Sequence, residues 1–198
     1  NYSKDPSFKL KINEASFKLE DLLDWGKQWA PPISGKGLLN AEALRVSGNI
    51  SGSALKKMTI NGGILSTKNL WINHPAQNAK LENMNADLKL KEVVLLDSQL
   101  EKVSINLNMQ LQKGTVQGAE IKNLKQFLDV TAKGKNLTDI ILEFSSDMKS
   151  LHYNHPETKD IILPVRVEGS GHILKNDFNN LNLSYQLGNL VSGNITGT

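Results

Sequence analysis

The sequence predicts a mainly β protein, in which long antiparallel amphipathic strands form a curled, groove-like or taco-like sheet, with one short helix near the N-terminus. Apolar and polar residues alternate strictly over long stretches, which places the apolar side chains on one face of extended strands. Helical spacing of apolar residues appears in a single stretch, so helices cannot cover that face.

The N-terminal part contains the first strand and the helix. Phe8, Leu10 and Ile12 alternate with lysines and predict a strand. Between Leu19 and Trp29, apolar residues recur at helical spacing, and acidic residues occupy the first turn, where the helix dipole favours them. One interpretation is a helix that caps the open end of a core. The other makes the tryptophans, Trp25 and Trp29, an aromatic plug or a partner contact.

Pro31 and Pro32 end this helix and mark the one clear linker. The predicted organisation is therefore an N-terminal part, 1–32, of strands and capping helix, followed by a repetitive β-sheet region, 33–198. We expect the two to form one continuous domain of a longer chain.

The strongest alternation lies in the middle of the chain, where five apolar residues from Val103 to Leu111 are separated by polar ones. Ile161 to Val167 alternate too, but Pro164 lies among them and predicts an edge or a bulge. Glycine-containing clusters such as Asn61-Gly62-Gly63 and Gly169-Ser170-Gly171 predict turns. At about ten to twelve residues per strand and turn, the chain should form roughly fifteen strands.

Composition excludes several function classes. The longest apolar runs are far too short to span a membrane. The net charge is +3 and the basic residues, nearly all lysines, are scattered, so we expect no nucleic-acid partner. The absence of cysteine excludes disulfides, thiolate metal sites and cysteine nucleophiles, and it fits a bacterial periplasm.

Candidate catalytic and metal-ligating residues are weak. His152 and His155 form a close pair, but Pro156 indicates a solvated loop rather than a metal site. Acidic pairs such as Glu82 with Asp87, or Glu143 with Asp147, are typical of a wet strand face. No phosphate loop or nucleophile elbow occurs. We therefore expect no enzyme activity, no catalytic residues, no metal and no cofactor.

A sheet with one apolar face must hide that face, because each buried Leu, Ile or Val contributes roughly 1.5–3 kcal/mol. The remaining solutions are a second sheet, a closed barrel, or a curled trough that holds apolar ligand. The alternating stripes alone favour a β-sandwich core, in which two apolar faces cover each other.

The segment from Val46 to Leu65 resembles the recurrent element of the AsmA-like family, the AsmA, TamB and YhdP group, in which short amphipathic strands are punctuated by glycine turns. Leu81 to Leu88 continue the pattern, and a weaker copy begins at Val167. The element does not recur at a fixed period. The resemblance implies a non-enzymatic, periplasmic β-groove protein of the cell envelope, tethered to the inner membrane by a segment outside this chain.

The resemblance also implies a function and partners. The apolar groove would shield acyl chains of phospholipid or another lipid during transport between membranes and outer-membrane biogenesis, with envelope membrane proteins as further partners. The predicted lipid-lining residues are Met84, Leu88, Leu90, Val103, Ile105, Leu107, Met109, Leu111, Ile140, Leu142, Phe144, Leu181, Leu183, Tyr185 and Leu187. The alternative is a secreted or surface β-sandwich, an adhesin or carbohydrate-binding module that binds through polar loops and aromatics such as Trp71 or Tyr153.

Overall fold

A computed structural model describes residues 6–26, 33–51, 54–153, 161–175 and 177–197. These residues form one antiparallel sheet of eleven strands and one short α-helix. In chain order the elements are β1 Ser7–Lys18, α1 Leu19–Gly26, β2 Ser34–Ser51, β3 Ala54–Asn61, β4 Ile64–His74, β5 Ala79–Leu96, β6 Gln99–Val116, β7 Ala119–Lys133, β8 Asp139–Tyr153, β9 Ile161–Leu174, β10 Asp177–Leu187 and β11 Val191–Gly197. Short 3-10 turns at Pro75–Gln77 and Lys135–Leu137 join β4 to β5 and β7 to β8.

The strands pair in nearly the order of the chain. From β5 to β11 each strand pairs with the next, and β1 pairs with β2. Strands β3 and β4 lie end to end between β2 and β5, so these four strands form a closed ring of pairings. The register continues across the break, since Asn61 pairs with Arg45 and Ile64 pairs with Glu42. The fold is therefore a curled antiparallel meander, as predicted.

Several glycine clusters predicted as turns lie inside strands instead. Gly62 and Gly63 join β3 to β4 without reversing the chain, and the Gly63 carbonyl accepts a hydrogen bond from Leu90 N at 2.9 Å. Gly114, Gly169 and Gly193 also lie within strands. Because the strands reach 18 residues, the sheet has eleven of them and not the roughly fifteen predicted.

A row of amide side chains crosses four adjacent strands; Asn83, Gln112 and Asn123 are in register, and Asn69 lies two positions along, beside Asn85. The row consists of Asn69 on β4, Asn83 on β5, Gln112 on β6 and Asn123 on β7, and we call it the amide row. The three asparagines have φ near +50°, the left-handed region that Asn tolerates better than most residues. At each of these asparagines the regular alternation is interrupted, so the apolar side chains shift by one position across the row.

Because of this shift, the apolar face stays continuous although the apolar positions in the sequence change between odd and even numbers. On β6 the apolar positions are odd-numbered up to Leu111, but beyond the row Gly114 and Val116 occupy this face. Neighbouring strands shift at the same level, so the pairing of β5, β6, β7 and β8 stays in register. Pro164 lies opposite a register shift between β8 and β9, which confirms the predicted bulge.

The amide row divides the apolar face into two parts. The end panel lies beyond the row and contains Leu70, Ile72, Leu81, Gly114, Ile121 and Leu151. The main panel is the larger remainder, which runs from β1 to β11. A second break crosses the main panel at Ala43, Gly62–Gly63 and Lys91, where Ala43 has a φ of +53°.

The sheet leaves far more surface accessible than a compact domain does. The chain exposes 13267 Å², whereas a compact monomer of 21.9 kDa exposes about 9,300 Å². In the described part, five apolar residues are buried and no side chain is fully enclosed, the five being Ala41, Leu70, Leu111, Ala132 and Val165. Three of them, Leu70, Leu111 and Val165, lie beside the bulges at the level of the amide row. The described residues therefore form a single layer and no closed sandwich core.

Helix α1 packs against one end of the apolar face, as its capping interpretation predicts. Gly35 on β2 is buried, and a Cβ there would lie 2.6 Å from Leu19 Cδ2 and 3.2 Å from Leu23 Cδ1. The Glu20 carboxylate accepts a hydrogen bond from Gly37 N at 3.3 Å. Of the residues in the plug interpretation, Trp29 and the side chain of Trp25 lie outside the described residues, as do Pro31 and Pro32.

Candidate functional site: the apolar face of the sheet

The pairing register places all fifteen predicted lining residues on one face. A representative row runs Leu88, Leu107, Leu128 and Phe144 across four strands. From Phe144 the row continues to Gly169 and then to Leu183. Each predicted lining side chain is half-buried except Leu111, which is buried. The strands thus form one apolar surface that no single segment provides.

The two faces of one strand shelter the same residue type differently. On β8, Ile140 and Leu142 lie on the apolar face and are half-buried. Ile141 lies between them on the opposite face, and 51% of it is exposed. In the pairing register, Ile140 lies between Ala132 and Ile173, and Leu142 lies between Val130 and Gly171, whereas Ile141 lies between Thr131 and His172. The burial of an apolar side chain on β8 therefore depends on which face of the sheet it occupies.

Aromatic rings on the apolar face lie over glycines of the neighbouring strand. Phe144 pairs with Gly169, and a Cβ at Gly169 would come within 2.9 Å of the ring. Tyr185 lies over Gly193, and Phe8 lies over Gly48, in the same arrangement. Because glycine has no side chain, each ring can lie close to the backbone instead of standing above the surface. These aromatic side chains therefore do not protrude from the apolar face.

Several apolar-face residues were missed by sequence reasoning. They include Leu65, Leu70, Ile72, Leu81, Val93, Leu124, Met148, Leu151, Val167 and Ile173. Some of them extend a regular alternation by one position, so a longer window would have found them. Those of the end panel required knowledge of the amide row, since their parity is opposite to that of the main panel.

Shelter decreases toward the edges of the sheet. Leu10 on β1 is 54% exposed and Ile195 on β11 is 49% exposed. Each of these strands pairs with one described neighbour, so one of its backbone edges is open among the described residues. The middle strands therefore carry the best-sheltered part of the apolar face.

The opposite face is polar and cross-linked by hydrogen bonds. Ser104 Oγ lies 3.0 Å from Thr131 Oγ1, and Asn106 Nδ2 donates to Asp129 Oδ2 at 3.1 Å. Lys91 Nζ lies 2.7 Å from the same Asp129 oxygen. The hydrogen bond from Lys91, with that from Asn106, lowers the pKa of Asp129. This network ties β5, β6 and β7 together on the wet side.

An ion-pair cluster lies on this polar face beyond the amide row. Glu120 accepts hydrogen bonds from Lys122 Nζ at 2.7 Å and from Lys113 Nζ at 3.0 Å. These bonds lower the pKa of Glu120 to about 2. Glu82 pairs with Lys80, which lowers the pKa of Glu82. Glu82, one of the predicted carboxylates, thus has a lysine partner.

The histidines occupy unrelated positions. His74 ends β4 and its Nδ1 accepts a hydrogen bond from Gln77 N at 3.2 Å, so it is the turn residue expected of a His-Pro pair. His152 lies on β8, and His155 and Pro156 lie outside the described residues. Within the described ranges, no three His, Asp or Glu side chains are grouped as metal ligands. No helix in the described part is long and apolar enough to cross a membrane.

Comparison of the chain with protein-family models, curated proteins and solved structures finds no match.

Proposed function

We propose that this chain is a periplasmic segment of an AsmA-like envelope protein whose apolar sheet face shields lipid acyl chains, phospholipid above all, during transport between membranes and outer-membrane biogenesis. The proposal includes tethering to the inner membrane by a segment outside this chain, and it assigns no enzyme activity. The fifteen lining residues, with their neighbours on the same face, would contact the acyl chains.

The observation that carries the proposal is the excess surface. The chain exposes roughly 4,000 Å² more than a compact monomer of its mass. On the apolar face, side chains of the middle strands remain half-buried with no second described layer over them. An apolar occupant would remove that surface from water, and each shielded methylene contributes about 0.8 kcal/mol.

The form of the lining also supports this function. Its residues are mostly aliphatic, and Met84 and Met109 add side chains that adapt to irregular contacts. Phe144 and Tyr185 lie over glycines, so they do not divide the surface into separate pockets. Many similar weak contacts suit a chain that slides along the surface better than one deep site does.

The test is identification of bound lipid, with a crosslinker placed on each face in turn. The purified protein should retain phospholipid by native mass spectrometry and solvent extraction. A photoreactive residue at Leu107 should crosslink it, while the same residue at the adjacent Asn108 should not, because these positions lie on opposite faces.

Leu142→Glu should abolish lipid copurification, and Ile141→Glu should preserve it. Circular dichroism would show whether both variants keep the β-sheet. If Leu142→Glu unfolds the protein and the Leu107 crosslinker captures no lipid, a closed core explains the stripes better. Equal crosslinking from the two faces would also contradict the proposal.

A further inference from the structure

We infer that the polar face carries a furrow that binds an extended, uncharged, hydroxyl-rich glycan chain. Three depressions lie side by side on this face, with volumes of about 640, 530 and 630 Å³. The first and second share Asn85, Gln110 and Lys125. The second and third share Phe127 and Glu168. The three therefore join into one path.

The furrow runs across the strands from β4 to β11. Asn69 lines one end, and Asn194 and Thr196 line the other. With neighbouring strands about 4.8 Å apart, the seven steps between β4 and β11 span roughly 34 Å. A site of that length and shallow depth fits a linear polymer and not a compact small molecule.

Phe127 supplies an aromatic ring to the furrow. It lies on the polar face between Asn108 and Ser145 in the pairing register, and it lines both the second and the third depression. An aromatic ring among planar polar side chains can stack on the C–H face of a sugar while amides and carboxylates bond its hydroxyls.

The polar groups around Phe127 have bonding capacity left for a ligand. The side chains of Gln110, Asp87 and Asp147 make no hydrogen bond or ion pair with another residue in the described part of the chain. Glu168, by contrast, is held in place by Arg166 Nη2 at 3.1 Å and by Ser184 Oγ at 3.2 Å. Free amides and carboxylates beside a fixed carboxylate offer both donors and acceptors for hydroxyl groups.

The charges along the furrow disfavour polyanionic polymers. Two cationic residues, Lys125 and Arg166, face four carboxylates along the path, those of Asp87, Glu143, Asp147 and Glu168. An excess of carboxylates repels nucleic acids, sulfated glycans and lipid phosphates, all of which need clustered cations. An uncharged glycan matches these constraints.

The experiment is calorimetric titration of the purified chain with cellohexaose and with N-acetylchitohexaose. Phe127→Ala should weaken binding about tenfold. Phe178→Ala is the matched control, because Phe178 lies on the apolar face at 60% exposure and its loss should leave glycan affinity unchanged. Gln110→Ala, an exposed side chain without a described partner, should weaken binding severalfold even if Phe127→Ala folds poorly.

The outcome separates this inference from the lipid proposal, since the furrow and the lipid-shielding surface lie on opposite faces. Phe127→Ala should leave lipid copurification intact. Failure of both hexasaccharides to bind at millimolar concentration would overturn the furrow, as would equal weakening in Phe127→Ala and Phe178→Ala. Tighter binding of a heparin hexasaccharide or of an extended peptide would overturn it as well.

Discussion

The end panel and the main panel belong to the same apolar face, yet they differ in whether another part of the chain packs over them. At the β2 side of the end panel, Leu19 and Leu23 of α1 pack over Gly35, and Leu70 nearby is 4% exposed. Across the main panel, no described element lies over Leu107 or Leu142, which remain half-buried. Helix α1 packs against β1 and β2, so the part of the apolar face that the chain covers itself is the β2 side of the end panel, while the middle of the main panel stays open.

The largest expected effect comes from removing one residue of the amide row, which separates the two panels. Deletion of Asn123 would move Ile121 and Ala119 to the polar face or break their pairing with β6 and β8, because a shift of one residue exchanges the faces of a strand. We expect a loss of unfolding free energy on the order of 3 kcal/mol or more, measured by urea denaturation.

Asn123→Gly is the control for that deletion. Glycine adopts the left-handed conformation of Asn123, whose φ is +51°, without strain. Its stability should stay within about 0.5 kcal/mol of the parent chain. If the deletion and the substitution have equal effects, the amide row does not set the face of the end panel.

This break explains what could be predicted from sequence and what could not. From Val103 to Leu111 the alternation is uninterrupted, so the face of each residue follows from its parity alone. Beyond Gln112 the parity inverts, and Lys113-Gly114 looks like a turn although β6 continues to Val116. Asparagine tolerates positive φ and is common in turns, but four asparagines, Asn69, Asn83, Asn123 and Asn180, adopt it inside strands.

Glycines were the second source of error, because their role depends on a neighbour distant in sequence. Gly169 resembles a turn residue locally, but Phe144 lies over it from the adjacent strand. Only the pairing register brings the two together. The lining residues could be found because a face is a local property, whereas the furrow on the polar face depends on depressions that several strands form together.

Two glycines of β9 on the main panel differ in how closely neighbouring atoms approach them. A Cβ at Gly169 would lie 2.9 Å from Asn182 O and 2.9 Å from the Phe144 ring, whereas at Gly171 the nearest atom is Leu181 Cδ1 at 3.6 Å. Gly169→Ala should therefore destabilise the protein by about 1–3 kcal/mol. Gly171→Ala should be neutral or stabilising by up to about 1 kcal/mol in the same urea assay. Equal values would show that the ring does not depend on the glycine.

The third prediction concerns the cover of the end panel. Glu20→Ala removes the acceptor for Gly37 N, and we expect it to cost about 0.5–1.5 kcal/mol. Asp21→Ala is the control, because Asp21 is an exposed acidic residue in the same first turn and contributes equally to the helix dipole. Hydrogen exchange of α1 amides should accelerate in the first variant more than in the second. The reverse order would mean that the dipole, and not this hydrogen bond, holds the helix in place.

The smallest effect is expected from the ion pairs on the polar side of the end panel. Because the folded-state pKa of Glu120 is about 2, below the ordinary value near 4.3, its ionised form stabilises the folded state above pH 4.5. That contribution is lost as the pH falls from about 4.5 to about 2.

Glu120→Gln should lower the melting temperature slightly at pH 6, and the difference from the parent chain should vanish near pH 2. High salt should reduce it too, since the group is solvent-exposed. Glu14→Gln, which removes a carboxylate without an ion-pair partner among the described residues, is the control. If the melting temperatures of the two variants depend on pH in the same way, the Glu120 cluster does not stabilise the end panel. The packing of α1 then remains as the difference between the end panel and the main panel.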